Sequence, residues 1–234
     1  MKNIIYLFLT GLIFSACTND VQTNNPAFQA KFNDATWRAL DARVSLDDQG
    51  RFVITAYTQY ETVVLRTSSA NPGTYVLGTT NQDNYVSYDF DGQGIFSSHD
   101  TSLYEGPAYK ISNIVNSGTG YSNSNNSQTT PVTGSGSGLK LAILTNATSG
   151  NITSVSIVSR GDGYVAGDIV SVVGGNNNAT VRILNTQQSN GEIVIEEVEN
   201  GKYTGSFKFN AVSSSGEVIT FSSGVFYKLS EAGL

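Results

Sequence analysis

The chain has 234 residues, of which 14% are charged, and its formal net charge is −6. Its 12 tyrosines and 11 phenylalanines supply most of the bulky apolar mass, and aromatic residues favour half-buried, pleated sheets. The acidic balance leaves no basic stripe, which excludes a nucleic-acid partner.

Residues 1–16 have the three parts of a secretory signal sequence. Met1-Lys2-Asn3 carries positive charge, residues 4–14 are almost wholly apolar, and Ser15 and Ala16 are small. This apolar run is too short to span a bilayer as a helix, which needs about 20 residues. It is typical of a cleaved signal peptide. We therefore predict that residues 1–16 are removed.

Cys17, the only cysteine, follows this segment directly. The motif Phe14-Ser15-Ala16-Cys17 resembles the lipobox of bacterial lipoproteins, in which the cysteine thiol is acylated and the chain is cut just before it. The resemblance implies that the lipid on Cys17 holds the protein at the membrane and that residues 17–26 form a flexible tether. By resemblance to lipoprotein sorting signals, Thr18 favours the outer membrane. Asn19-Asp20 resembles the acidic patch that directs some Bacteroidota lipoproteins to the cell surface, and this resemblance favours the cell-surface side over the periplasmic face.

Short strands and turns follow this tether. We predict strands from the alternation of apolar and polar residues and from β-rich composition at residues 28–32, 42–46, 52–57, 62–66, 74–77 and 84–90. Asp47-Asp48-Gln49-Gly50 and Asn71-Pro72-Gly73 are turn signals between strands. No stretch shows the 3.6-residue period of a capped helix, so we predict little helix.

Residues 106–188 are rich in glycine, serine and asparagine and contain a repeat. The pattern Ile-Val-x-x-Gly-x-Gly-Tyr at residues 114–121 recurs at residues 157–164. Glycine-rich or asparagine-rich runs also precede two apolar stretches, residues 139–144 and 179–184. Two such copies predict a small pseudo-symmetric β unit whose halves bury their apolar faces on each other.

After residue 188 the chain again alternates apolar and polar residues, as it does before residue 106. Residues 191–198, 202–210, 216–221 and 224–229 are predicted strands. We therefore predict an all-β protein, an antiparallel sandwich or barrel of about eight to ten strands. We predict that its β domain comprises residues 27–105 and 189–234 and that a small Gly-rich β module, residues 106–188, is inserted between two of its strands. The alternative is one continuous domain.

Several motifs carry a further resemblance: Phe28-Gln29-Ala30, Trp37, Gly73-Thr74-Tyr75, Gly-Glu-Ile-Val-Ile at 191–195, Gly205-Ser206-Phe207-Lys208-Phe209 and Gly224-Val225-Phe226. With these motifs, residues 27–105 and 189–229 resemble an uncharacterised domain of Bacteroidota lipoproteins, a domain of unknown function. The motifs are structural, so the resemblance implies a fold and a location but no catalytic residue. The inserted segment resembles the Gly-x-Gly-Tyr β modules of phage virion proteins and bacterial surface proteins, most specifically at residues 163–170.

Four tyrosines near the Gly-rich loops are the candidate binding residues: Tyr104, Tyr109, Tyr121 and Tyr164. We treat them as exposed aromatics, because flat rings beside asparagine and aspartate side chains suit a sugar-binding surface. The alternative, which we favour over binding, is that these rings pack locally over their glycine turns.

His99 is the only histidine and lies in a polar, turn-like run, so we expect a solvated loop residue and not a member of a catalytic triad. One histidine and one acylated cysteine exclude a zinc site of the His/Cys kind. We predict no metal, no cofactor and no catalytic residue. Paired carboxylates remain the enzymatic alternative, and those available are Asp41, Asp47, Asp48, Asp89, Asp91, Glu192, Glu196 and Glu197.

The sequence thus leaves three functional hypotheses. The first is a non-enzymatic surface protein that binds a glycan or another envelope component. The second is a hydrolase that uses a carboxylate pair on polysaccharide or envelope material. The third is a passive structural or assembly subunit.

Overall fold

The computed structural model describes residues 27–231, which contain strands and no helix. The strands form two antiparallel sheets, a half-barrel and a nearly closed barrel. The predicted all-β class and its antiparallel barrel architecture are therefore confirmed. The predicted signal peptide, Cys17 and the tether of residues 17–26 lie outside the described residues.

The large sheet has 11 strands and takes its members from both ends of the described chain. They are β1 (Phe28–Phe32), β2 (Ala35–Arg38), β3 (Asp41–Leu46), β4 (Phe52–Tyr57), β5 (Glu61–Thr67), β6 (Gly73–Leu77), β7 (Tyr85–Gly92) and β8 (Ile95–Asp100), then β15 (Asn190–Glu199), β16 (Lys202–Ser213) and β17 (Val218–Ser230). Their main path runs β2-β1-β17-β16-β8-β7-β5-β4-β3, and β15 pairs with both β16 and β6.

The large sheet forks at β16. Its residues 202–210 pair with β15, whereas Val212 and Ser213 pair with β8. The connections to the small sheet leave from this fork, through residues 101–107 after β8 and residues 187–189 before β15. The small sheet is thereby held beside β15 and β16.

Two details of the predicted strands are wrong. The large sheet has 11 strands instead of eight to ten, because the sequence predicts neither β2 nor β8 as a strand. The two strands predicted at residues 216–221 and 224–229 are one continuous strand, β17. Its register shifts near Ser223, whose φ is 50°, so a bulge replaces the expected turn.

Aromatic rings fill the interior of the large sheet. Phe28 stacks on Phe207, and Phe209 stacks on Phe221, each pair with 4.8 Å between ring centroids. Trp37 meets Phe28 and Phe221 edge to face at 5.9 and 5.8 Å. Such pairs each contribute about 0.5–1.5 kcal/mol beyond the area they bury, so this cluster joins β1, β2, β16 and β17.

Two glycines allow rings on β16 and β17 to cover the opposite strand. Gly205 lies directly opposite Phe226, and Gly224 lies directly opposite Phe207. A Cβ atom on Gly224 would lie 2.5 Å from Cε2 of Phe207, and one on Gly205 would overlap the Val194 carbonyl oxygen. Glycine inside a strand marks such a close approach. The two Gly–Phe pairs are therefore reciprocal: in one pair the glycine is on β16 and the ring on β17, and in the other pair the positions are exchanged.

The small sheet consists only of residues between Ala108 and Thr186. Its strands are β9 (Ala108–Asn116), β10 (Ser124–Pro131), β11 (Ser137–Thr145), β12 (Ile152–Asp162), β13 (Ile169–Val172) and β14 (Thr180–Thr186). They follow the order β12-β11-β10-β13-β14-β9 and enclose their own apolar core. The division into an interrupted domain and an inserted module stays our interpretation of this topology.

Tyr121 and Tyr164 are buried in this core, at 5% and 1% exposure, so the expectation that they are exposed aromatics is wrong. The Tyr121 hydroxyl donates to the Val172 carbonyl at 2.9 Å and accepts from the Ala179 N–H at 3.0 Å. The Tyr164 hydroxyl accepts from the Leu139 N–H at 3.3 Å. Both hydroxyls thus satisfy backbone groups inside the sheet.

Glycine loops make room for both rings. A Cβ atom on Gly175 would lie 2.7 Å from the Tyr121 ring, and one on Gly136 would overlap the Tyr164 ring. Gly175 follows β13 in the second copy of the repeat, whereas Gly136 precedes β11 in the first copy. Each tyrosine therefore packs against a glycine loop of the other copy. Tyr121 also covers Gly118 of its own turn, whose Cβ would lie 2.7 Å from the ring, so for Tyr121 the favoured alternative of local packing is confirmed.

We expect Gly224→Ala to lower the free energy of unfolding by about 1–3 kcal/mol, because the new methyl group overpacks against the buried Phe207 ring. Gly73→Ala on β6 is the matched control, since its Cβ would lie 3.9 Å from the Tyr75 ring. That variant should stay within about 0.5 kcal/mol of the parent protein. Urea unfolding followed by circular dichroism measures both values, and equal losses in the two variants would contradict the reciprocal packing.

We expect Tyr121→Phe to lower the free energy of unfolding by about 1–3 kcal/mol, because it leaves the Ala179 N–H and the Val172 carbonyl buried without a side-chain partner. Tyr60→Phe is the control, because Tyr60 is 42% exposed. The same urea experiment compares them, and an unchanged midpoint for Tyr121→Phe would show that its hydroxyl has no structural role.

Candidate functional site

The other two candidate tyrosines lie where the chain passes from the large sheet into the small one, Tyr104 before β9 and Tyr109 near its start. Tyr104 and Tyr109 are both partly buried. The Thr186 hydroxyl donates to the backbone carbonyl of Tyr104 at 3.1 Å. Burial, together with the nearby Asp100 carboxylate, raises the pKa of the Tyr104 phenol. Tyr104 therefore ties the connection after β8 to β14, and the four tyrosines do not form one surface.

Tyr109 lines a groove of about 200 Å³ between the two sheets. β15, β16 and β17 contribute one side of it, mostly through residues that alternate with buried ones, because successive strand residues point to opposite faces. Lys208, between the buried Phe207 and Phe209, follows this pattern. The small sheet contributes the other side. The lining residues are Tyr109, Lys110, Asn185, Asn190, Gly191, Glu192, Lys208, Phe209, Asn210, Thr220, Phe221 and Ser222.

Two cations approach the Tyr109 ring. The Arg160 guanidinium carbon lies 5.0 Å from the ring centroid, and Lys110 Nζ lies 5.7 Å from it, both within the range of a cation–π contact. Arg160 also donates to the backbone carbonyls of Ala108 and Tyr109 at 2.9 and 3.0 Å. The Arg160 side chain thus reaches from β12 to β9 and fixes the position of the Tyr109 ring.

Polar groups on β15, β16 and β17 face the same groove. Lys208 Nζ lies 2.7 Å from Glu192 Oε1, and this hydrogen bond is the main cause that raises the pKa of Lys208. The Thr220 hydroxyl donates to Asn210 Oδ1 at 2.9 Å, and Asn210 Nδ2 donates to the Gln187 carbonyl at 3.2 Å. The groove therefore presents both hydrogen-bond donors and acceptors.

Asn185 lines the groove although its side chain is 1% exposed. Its Nδ2 donates to the Leu77 carbonyl at 3.1 Å, which links β14 to the end of β6. Its Oδ1 has no hydrogen-bond donor among residues 27–231. A buried acceptor without a partner costs about 1–3 kcal/mol.

The sequence indicated only part of this groove. It identified Tyr109 as a binding candidate and Glu192 as an available carboxylate, but it missed Lys110, Lys208 and Asn185. Strand alternation could have placed Lys208 on the outer face, because Phe207 and Phe209 flank it. Nothing local to Lys110 indicates that β9 lies beside strands from the end of the chain.

The prediction that His99 is a solvated loop residue is wrong. His99 lies on β8, is 3% exposed, and has its ring centroid 6.1 Å from that of Tyr88. Neither ring nitrogen has a hydrogen-bond partner in the described part of the chain, and Glu217 Oε2 lies 4.0 Å from Nε2. The polar run around His99 is a strand in which His99 occupies an inward-facing position.

Several of the carboxylates considered for catalysis have local partners. Asp41 accepts from the Tyr57 hydroxyl at 2.6 Å and pairs with Arg43 at 3.0 Å. These two contacts, the tyrosine first, lower the pKa of Asp41. Asp47 pairs with Arg51 at 2.7 Å. Among residues 27–231, no group of three or more histidine, cysteine or acidic side chains could hold a metal ion.

The part of the chain that the structure describes contains no helix long and apolar enough to cross a membrane.

Comparison with known proteins identifies one family. The family model of a domain of unknown function, DUF6252, matches residues 24–168 and 164–230. The two matched segments together include strands of both sheets. No curated protein matches the chain. No solved structure matches it.

Proposed function

The chain belongs to the DUF6252 family of domains of unknown function, and we propose that it is a lipid-anchored bacterial envelope protein that binds a glycan without catalysis. The glycan lies in the groove between the two sheets. The lipid on Cys17 holds the protein in the outer membrane of a Bacteroidota cell, with its body on the cell surface.

The arrangement of Tyr109 beside the polar outer face of β15, β16 and β17 carries the proposal for a glycan. A sugar ring has apolar C–H faces, which suit the flat face of an aromatic side chain, and hydroxyl groups around its edge. The Asn210 amide, the Thr220 hydroxyl and the Lys208–Glu192 pair supply partners for such hydroxyls. Ligand sites typically combine aromatic surface with a few placed polar groups in this way.

Residues 1–17 support the proposed location. The positive start, the short apolar run and the small residues before Cys17 have the order of a lipoprotein signal. The family match begins at residue 24, so the proposed lipid and most of the tether precede the matched domain. The acyl chains would each contribute ~0.8 kcal/mol per buried CH₂, and two or three chains together make the attachment stable.

We expect Tyr109→Ala to weaken glycan binding by about tenfold or more, equivalent to about 1.4 kcal/mol, because it removes the ring against which the sugar packs. Tyr227→Ala is the matched control, since Lys228 Nζ lies 5.5 Å from the Tyr227 ring outside the groove. The purified full-length lipidated protein is screened on a glycan array, and calorimetry with a sugar that binds quantifies each variant. Equal losses in both variants, or no binding by the parent protein, would contradict the proposed groove.

We expect protease added to intact cells to digest the parent protein, because its body lies on the cell surface. The Cys17→Ala variant should be absent from the membrane fraction, because it has no thiol to acylate. Immunoblots of shaved cells and of outer-membrane fractions measure both outcomes. A membrane-bound parent protein that resists the protease would place the body on the periplasmic face instead, and a membrane-bound Cys17→Ala variant would rule out the lipid anchor.

A further inference from the structure

We infer that the groove between the two sheets selects acidic saccharides, which carry carboxylate groups on their rings, over neutral saccharides of the same shape. This inference rests on the proposed function and adds the chemical class of the ligand. It follows from the distribution of charge around Tyr109.

The groove is locally cationic in an acidic protein. The whole chain has 13 lysine and arginine residues against 19 acidic residues. The charged residues that line the groove are Lys110, Lys208 and Glu192, and Arg160 stands against the Tyr109 ring. The groove and the Tyr109 ring thus have three cations nearby and one carboxylate among the lining residues. The net charge of −6 repels an anionic ligand from most of the surface, whereas a cationic groove focuses it.

Two of the three cations keep an uncompensated charge. Glu192 neutralises Lys208 at 2.7 Å. Within residues 27–231, by contrast, neither Lys110 nor Arg160 has a carboxylate within 4.0 Å. The groups that accept hydrogen bonds from Arg160 are neutral carbonyls of β9. Glu105 lies against Gly163, three residues along the chain from Arg160, and forms no ion pair with it.

The same two cations lie beside the aromatic ring. Lys110 Nζ is 5.7 Å and the Arg160 guanidinium carbon is 5.0 Å from the Tyr109 centroid. A sugar that packs against this ring brings a carboxylate on its own ring close to both charges. Hydrogen bonds between charged groups are roughly twice as strong as neutral ones. A uronic acid thus gains an interaction that the corresponding neutral sugar lacks.

The test compares an oligogalacturonate with the carboxyl-reduced oligosaccharide made from it, which has the same length and linkage but no charge. Calorimetry on the full-length lipidated protein should give a dissociation constant about tenfold lower for the acidic probe, equivalent to about 1.4 kcal/mol. Lys110→Gln should weaken acidic binding more than neutral binding, so that the ratio of the two dissociation constants falls severalfold. Lys202→Gln, at the far end of β16 from Lys208, makes the same charge change outside the groove and should alter neither.

Three outcomes would overturn the inference. Equal affinity for the two probes, with both lost in Tyr109→Ala, rejects selection for acidic sugars and leaves the glycan groove standing. Equal weakening by Lys110→Gln and Lys202→Gln shows a general charge effect instead of a local one. A parent protein that binds neither probe nor any array glycan rejects both the inference and the proposed function.

Discussion

The reciprocal Gly–Phe pairs between β16 and β17 are the contact on which the rest of the structure depends. Gly205 accommodates Phe226, and Gly224 accommodates Phe207. Because side chains alternate along a strand, fixing these rings inside also fixes which residues stand outside. Lys208 is on the outer face for this reason. The packing of the core thus determines the polar face on which the proposed ligand lies.

The small sheet completes the groove because the fork at β16 holds it there. β8 and β15 pair with different parts of β16. The chain enters the small sheet after β8 and returns from it before β15. Inside that sheet, Tyr121 and Tyr164 bond to backbone groups and each packs against a glycine of the other copy. Tyr109 lies outside this core. Its position is set instead by Arg160, which reaches from β12 to the carbonyls of β9.

Much of the fold could be predicted from the sequence, because its signals are local. Alternation located strands such as β4, β5 and β7, and Asp47-Asp48-Gln49-Gly50 marked the hairpin between β3 and β4. The Gly-x-Phe-x-Phe and Gly-x-Phe motifs have a plain physical meaning, since they form the reciprocal pairs. The same local reasoning divided β17 in two, because a bulge at Ser223 and a turn use similar residues.

The site could be predicted only in part, because its residues come from distant parts of the chain. His99 and Tyr164 show the limit most clearly. The polar run around His99 indicated a solvated loop, and the Gly-rich loop made Tyr164 a candidate for an exposed ring, yet both side chains are buried. The groove likewise depends on β9 and β15 lying on opposite sides of it, which no pattern within either strand indicates.

The central claim is that a saccharide binds in the groove between the two sheets, and backbone amide NMR spectra during an oligogalacturonate titration test it most directly. The account predicts saturable shifts for amides of β9, β15 and β16 around Tyr109, Glu192 and Lys208, with those of β3 to β5 unchanged. Shifts confined to other strands would contradict it, and so would unchanged spectra both with the oligogalacturonate and with every glycan that the array identifies.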